Sequence, residues 1–161
     1  MINIVIPMAG LGSRFADKGY ENPKPFIDVA GKPMIERVLD NLYIPEARFI
    51  LLVREEHITN YSSYITNIKE RYKSVIFSVN GLTQGTACTV LLARNLINDN
   101  TPLIIANSDQ IVDMNFSDFV DDAKTRDLDG SILSFIDSKR DPKWSFASLN
   151  DNNLVTAVKE K

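Results

Sequence analysis

Two short stretches of this chain carry residue types that can do chemistry at one place. An apolar run, Ile2 to Pro7, leads into Met8-Ala9-Gly10-Leu11-Gly12-Ser13-Arg14-Phe15, and Asn22-Pro23-Lys24-Pro25-Phe26 follows. Glycines just past a strand let backbone N–H groups turn toward an anion without a Cβ in the way. Arg14 adds a planar fork suited to phosphate, and Lys24, stiffened between prolines, adds a point charge. Together they suit a polyphosphate. A Walker loop is excluded, because Ser13-Arg14-Phe15 stands where Lys and Ser or Thr would be needed. The dinucleotide fingerprint fails as well: Phe15 occupies the third glycine position, and no helix is expected to open there.

Asp109, in Asn107-Ser108-Asp109, lies just beyond the apolar run Leu103–Ala106. A carboxylate at the carboxyl end of a strand, beside a triphosphate, is a natural Mg²⁺ ligand; the competing reading is a turn or helix-cap aspartate. Gln84-Gly85-Thr86-Ala87 opens another apolar segment. Its glycine permits close approach of a flat ring and its free N–H groups can donate, although a plain helix start capped by Thr86 fits equally. His57 reads as a residue that caps or decorates its helix, Cys88 as core, Asp113 as a solvated loop residue, and Glu160 with Lys161 as a salt-bridging tail. The one histidine lies far in sequence from the glycine loop, and no Ser-His-Asp or Cys-His set is present. Transfer to an acceptor phosphate needs none, since that nucleophile arrives ionised and requires orientation and charge neutralisation.

These residues need a scaffold that presents strand ends and loops on one side. Apolar and amphipathic runs alternate, which predicts an α/β fold: a Rossmann-like, mostly parallel sheet with helices on both faces. Ile2–Pro7, Phe49–Val53, Val75–Val79, Leu103–Ala106 and Ser131–Phe135 read as strands. Pro33 can occupy the first position of a helix whose stripe is Ile35, Val38, Leu39 and Leu42. Ile58, Tyr61, Ile65, Ile68 and Tyr72 keep helical spacing through a second segment. Thr86 to Ile97 is apolar nearly all round, as for a helix sandwiched in the core, and Phe116, Phe119, Val120 and Ala123 give a further stripe. Phe146–Leu149 and Leu154–Val158 flank Asn150-Asp151-Asn152-Asn153 and predict a hairpin.

The chain has 161 residues, one domain's worth, with 44% hydrophobic and 24% charged residues, which is ordinary for a globular protein. A net charge of −3 without a basic run argues against a nucleic-acid partner and for a small-molecule nucleotide. A lone cysteine excludes an internal disulfide. No apolar stretch approaches the ~20 residues of a membrane span, and no leader pattern opens the chain, so a cytoplasmic protein without a membrane partner is expected.

Ala9-Gly10-Leu11-Gly12-Ser13-Arg14 followed by Pro23-Lys24-Pro25 resembles the signature of the nucleotidylyltransferases that join a nucleoside triphosphate to a sugar 1-phosphate, most nearly the capsule and surface-polysaccharide branch. Gly31-Lys32-Pro33-Met34, Gln84-Gly85-Thr86-Ala87, Asn107-Ser108-Asp109 and Val158-Lys159-Glu160-Lys161 match in the same order, so the resemblance spans the chain. It implies a GT-A-like fold, an NTP and a phosphorylated acceptor as ligands, Mg²⁺ as cofactor, and pyrophosphate as leaving group. By the resemblance Arg14 and Lys24 are catalytic and Asp109 binds the metal. Ala9, Gly10, Leu11, Gly12, Ser13, Asn80, Gln84, Gly85, Thr86, Asn107 and Ser108 surround the nucleotide, while Trp144, Ser145, Glu160 and Lys161 face the acceptor. Asn80-Gly81-Leu82-Thr83 stands where many members carry a base-reading glutamine, Ser108 and Ser145 stand where glycine is common, and base and acceptor stay open. The competing readings are a glycosyltransferase using an NDP-sugar and a non-catalytic nucleotide-binding module. In the family a second metal-binding aspartate and much of the acceptor pocket follow the segment matched here. The sequence is therefore read as the N-terminal piece of a longer chain, one that turns over little alone and self-associates, as a homo-oligomer, through the strand edge at Val155–Val158.

Overall fold

The computed structural model describes residues 1–160, which divide into a unit spanning Met1–Ser117 and a second that begins at Asp118. In the first unit, four strands form a parallel sheet: β1 (Ile2–Met8), β2 (Ala47–Arg54), β3 (Val75–Val79) and β4 (Leu103–Ile105), in the order β3-β2-β1-β4. β1 and β2 are apolar on both faces because both faces are covered. Val5, Ile50 and Leu52 pack with Val79, Val90 and Ala93 on one side. Ile4, Ile6, Phe49 and Leu51 alternate to the other side, where the Phe49 ring meets Tyr72 at 6.4 Å.

Helices fill the three crossovers between these strands, and one more follows β4. α1 is a single turn, Ser13–Ala16; α2 is Met34–Asn41; α3 and α4 are Glu55–Asn60 and Ser62–Tyr72; α5 and α6 are Thr86–Leu92 and Arg94–Ile97; α7 is Phe116–Thr125. Pro33 precedes the first helical residue of α2 instead of occupying it. The second amphipathic segment is two helices, kinked at Tyr61, where φ is −122° and ψ 35°. The segment predicted to be enclosed in the core is likewise two helices, divided at Ala93, and only one side is covered. Thr89, Val90 and Ala93 are buried against the sheet, whereas Leu91, Leu92 and Cys88 are exposed. Cys88 is therefore not core: an apolar face without a second layer over it stays at the surface. A helix does open after the glycine loop, against expectation, but it lasts only one turn.

The parallel pairing ends at a residue that explains where. Asn3 donates to Pro102 across the β1–β4 gap, and Val5 accepts from Ala106, so odd-numbered residues of β1 point their backbone groups at β4. The next of that parity is Pro7, which has no N–H to give. Pairing stops at Val5↔Ile105, while β1 and β2 stay in register to Met8↔Val53. β1 and β4 separate there, at the point where strand order reverses, and open sheets place ligands in that crevice.

In the second unit, β5 (Phe146–Leu149) and β6 (Val155–Lys159) form the predicted antiparallel hairpin, with a bulge at Ser148/Leu149. Ser131–Phe135 forms no strand. Ile132, Leu133 and Phe135 are exposed, and no described strand pairs with them; an apolar run without a hydrogen-bonding neighbour cannot be a strand. No described helix is long and apolar enough to cross a membrane.

α2 and α4 are tied by polar groups on their shared boundary. Tyr72 donates to Asp40 at 2.7 Å and lies 3.3 Å from the Glu36 carbonyl, while Arg71 reaches the buried Glu36 carboxylate at 3.1 Å. Burial, and then the hydrogen bond to Asp40, hold the Tyr72 phenol far above its ordinary value, so it remains a donor. Tyr72→Phe should lower unfolding free energy by about 1 kcal/mol, read as a lower urea midpoint at unchanged slope.

Candidate functional site

The loop after β1 begins with Ala9, still buried, then Gly10 and exposed Leu11, and turns at Gly12 with φ 63° and ψ 23°. That left-handed conformation suits glycine. A Cβ at Gly12 would lie 3.2 Å from the Lys24 Cβ, so the loop passes directly against the lysine stem. Lys24 starts a 3₁₀ turn, Lys24–Phe26, entered from Pro23 at φ −55°. Its ammonium lies 5.7 Å from the Phe15 ring centroid and pairs with the Asp109 carboxylate.

Asp109 reaches that position because it follows β4 across the crevice opened at Pro7. Around these groups lies a cavity of about 340 Å³. Its walls bring together Ala9, Gly10, Gly12, Lys24, Gly85, Thr86, Asn107, Ser108 and Asp109, nine of the residues expected from sequence. Leu11, Ser13, Arg14, Asn80 and Gln84 do not line it; all five are exposed. Arg14 lies on α1, one turn past the glycines, with no hydrogen bond or ion pair among the described residues. Trp144, Ser145 and Glu160 belong to the second unit, and Lys161 lies outside the described residues. Asp113 is exposed in its loop, as expected.

The cavity wall includes residues that sequence reasoning missed: Pro7, Met8, Pro25, Leu82, Thr83 and Thr89. Thr83 and Thr89 bracket Gly85, their hydroxyls 2.5 Å apart and 3.2 and 3.1 Å from its carbonyl. Thr89 is also four residues past Gly85, the helical spacing at which a threonine hydroxyl reaches back to a carbonyl; that spacing was the available cue. Asp109 is the carboxylate in the lining, and no described group of three or more His, Cys, Asp or Glu could hold a metal. A divalent ion would have to complete its shell from ligand oxygens and water.

His57 does not cap or decorate its helix. It is buried 5.9 Å from the Phe26 ring and 6.1 Å from Tyr61, with Nδ1 lacking a partner among the described residues. Burial lowers its pKa below the ordinary 6.5, against the opposing pull of Glu56, so the ring stays neutral.

The family model described as Nucleotidyl transferase matches residues 4–161. Mannose-1-phosphate guanylyltransferase catalytic subunit beta of Dictyostelium discoideum is 28% identical over 130 residues, 80% of this chain. The chain spans only 36% of that protein. Among solved structures, a nucleoside-diphosphate-sugar pyrophosphorylase from Vibrio cholerae superposes with a TM-score of 0.68 at 24% identity, covering 98% of this chain and 66% of its own. A UDP-glucose pyrophosphorylase complexed with UDP-glucose gives 0.74 at 16% identity, covering 100% and 69%. Both likenesses establish the fold.

Gly12→Ala combines a disfavoured φ with a contact against Lys24. It should cost about 1–2 kcal/mol of stability and weaken binding of inorganic tripolyphosphate, read by calorimetry. A neutral buried His57 also sets a pH response. Because its folded pKa lies below the unfolded 6.5, the stability it permits is complete above 6.5 and drains away as pH falls through the folded value. Melting temperatures measured downward from pH 7 should drop faster for the parent than for His57→Phe.

Proposed function

The chain belongs to the nucleotidyl transferase family, and from that premise we propose that it carries the nucleotide-binding part of a sugar-1-phosphate nucleotidylyltransferase. One observation carries the reading: Lys24 and Asp109, 85 residues apart, meet at the wall of a cavity bordered by the glycine loop. A cation and a carboxylate at one cavity wall suit a triphosphate that arrives with a metal.

In the reaction proposed, an acceptor phosphate oxygen attacks the α-phosphorus of an NTP in line. The new P–O bond forms as the bond from the α-phosphorus to its bridging oxygen breaks, and pyrophosphate leaves with that electron pair. The amides of Gly10 and Gly12 hold phosphate oxygens, and Lys24 offsets charge on the departing pyrophosphate. Arg14, exposed beside the loop, is assigned the same task from the open side. Gly85 and Thr86 take the base at the far wall, with Leu82 against its ring. Asp109 fits Mg²⁺, which accepts one or two carboxylates and draws its remaining ligands from phosphate and water; bound there it would neutralise phosphate charge. Trp144, Ser145, Glu160 and Lys161 are assigned to the acceptor on the resemblance alone. The same resemblance supports a product used for surface polysaccharide. The likeness to the Dictyostelium mannose-1-phosphate guanylyltransferase makes GTP with mannose 1-phosphate the first pair to assay.

The test is pyrophosphate release by the complete polypeptide from each of four NTPs against a panel of sugar 1-phosphates. Release of nucleoside diphosphate from an NDP-sugar instead would overturn the reading in favour of a glycosyltransferase, and NTP binding without turnover would leave only a binding module. Asp109→Asn should divide the two roles of the resting ion pair. Turnover should fall on the order of a hundredfold and lose its dependence on added Mg²⁺. Metal-free nucleotide should bind more tightly than to the parent, because Lys24 is released and a like charge is gone. Unchanged metal dependence would remove Asp109 from the metal site.

A further inference from the structure

We propose that Phe26, packed against Tyr61 and Tyr64 and edged by His57, is a positioning device that sets where Lys24 stands relative to the glycine loop. The inference rests on Lys24 as a phosphate-binding residue.

The turn that carries Lys24 is weakly anchored by its own backbone. Two of its hydrogen bonds, Phe26 N–H to Pro23 and Ile27 N–H to Lys24, are internal to the segment, and a third, Met34 N–H to Ile27, joins its last residue to the start of α2 and not to the sheet. The flanking prolines restrict φ, which stiffens the turn without fixing it to the sheet. Attachment toward the strand ends comes from side chains, and Phe26, only 1% exposed, is the largest one buried there. Its ring centroid lies 5.2 Å from Tyr61 and 5.2 Å from Tyr64, with interplanar angles of 24° and 27°. His57 meets it edge-on at 71°.

These partners share an origin. Positions 57, 61 and 64 follow i, i+4, i+7 spacing across the kink at Tyr61 and so line one face. α3 starts at Glu55, the residue after β2 ends at Arg54. The aromatic face is thereby fixed to the carboxyl end of β2, which is paired with β1 as far as Met8, and β1 delivers the glycine loop. Phe26 connects the lysine turn to the same strand ends that carry the anion-binding amides. Without that connection, the lysine turn would keep its tie to α2 through Ile27 and Met34, but toward the glycine loop it would have only the Lys24 contacts with Phe15 and Asp109, and the Asp109 pair, partly solvated, contributes little. Neither tyrosine hydroxyl makes a hydrogen bond among the described residues, so the rings do the positioning.

The test is a double-mutant cycle in the complete polypeptide, with inorganic tripolyphosphate as a base-independent probe and calorimetry as the readout. Lys24→Met should weaken binding about tenfold. Tyr64→Leu should weaken it about fivefold when Lys24 is present and leave the Lys24→Met protein unchanged, because its effect runs through the lysine. Tyr64→Phe, which keeps the ring, should bind as the parent does. Should Tyr64→Leu lose its cooperative melt, Tyr61→Leu goes through the same cycle. Equal losses in both backgrounds, or none in either, would overturn the positioning role while leaving the phosphate reading intact. An unaltered affinity for Lys24→Met would instead overturn the phosphate role of Lys24 and the positioning role with it.

Discussion

The parallel hydrogen bonding between β1 and β4 stops at Pro7, and the site depends on that interruption. A residue with an N–H there could extend the ladder past Val5↔Ile105 and draw the two strands together. With proline, the strands part while β1 stays bound to β2 on its other edge. The glycine loop then leaves one side of the crevice and the Asn107–Asp109 segment leaves the other. The sheet supplies the separation, and the side chains that enter it come from loops that cost little stability to specialise.

Within the crevice, opposite charges rest against each other. Lys24 and Asp109 are each partly solvated, with side chains 26% and 39% exposed, so their pairing is cheap to open. In the function proposed, an anionic phosphate takes the lysine and a cation brought with it takes the carboxylate, so each ligand removes the partner that the other has to displace. Gly12 matters here for its conformation and for its lack of a Cβ, because the lysine stem occupies the space a side chain would need.

The polar ties lie away from this opening. Tyr72, Asp40, Glu36 and Arg71 bind α2 to α4. Burial alone would push the Asp40 carboxyl up, yet hydrogen bonds from Lys32 and Tyr72 and the charge of Lys32 bring it below the ordinary range. α4 is thus held to α2 at one end and presents Tyr61 and Tyr64 to Phe26 near the other, so the rigidity of the helical layer extends to the turn bearing Lys24.

The residue types and their order carry the proposed chemistry: glycines after a buried strand, a lysine between prolines, and an aspartate past another strand are local facts, legible because strand, turn and proline geometry depend on neighbours in sequence. The parallel sheet, its first four strands and the terminal hairpin were legible for the same reason, since apolar period and turn residues are short-range. Tertiary structure alone decided which residues meet. Lys24 and Asp109 become partners only through strand order, and Thr83 and Thr89 join the wall only because α5 packs beside β1. His57 is buried and Cys88 exposed, the reverse of what their sequence contexts imply, because burial depends on whether another layer covers that face. Ser131–Phe135 has a strand's composition and no strand beside it, and a strand exists only as half of a pair.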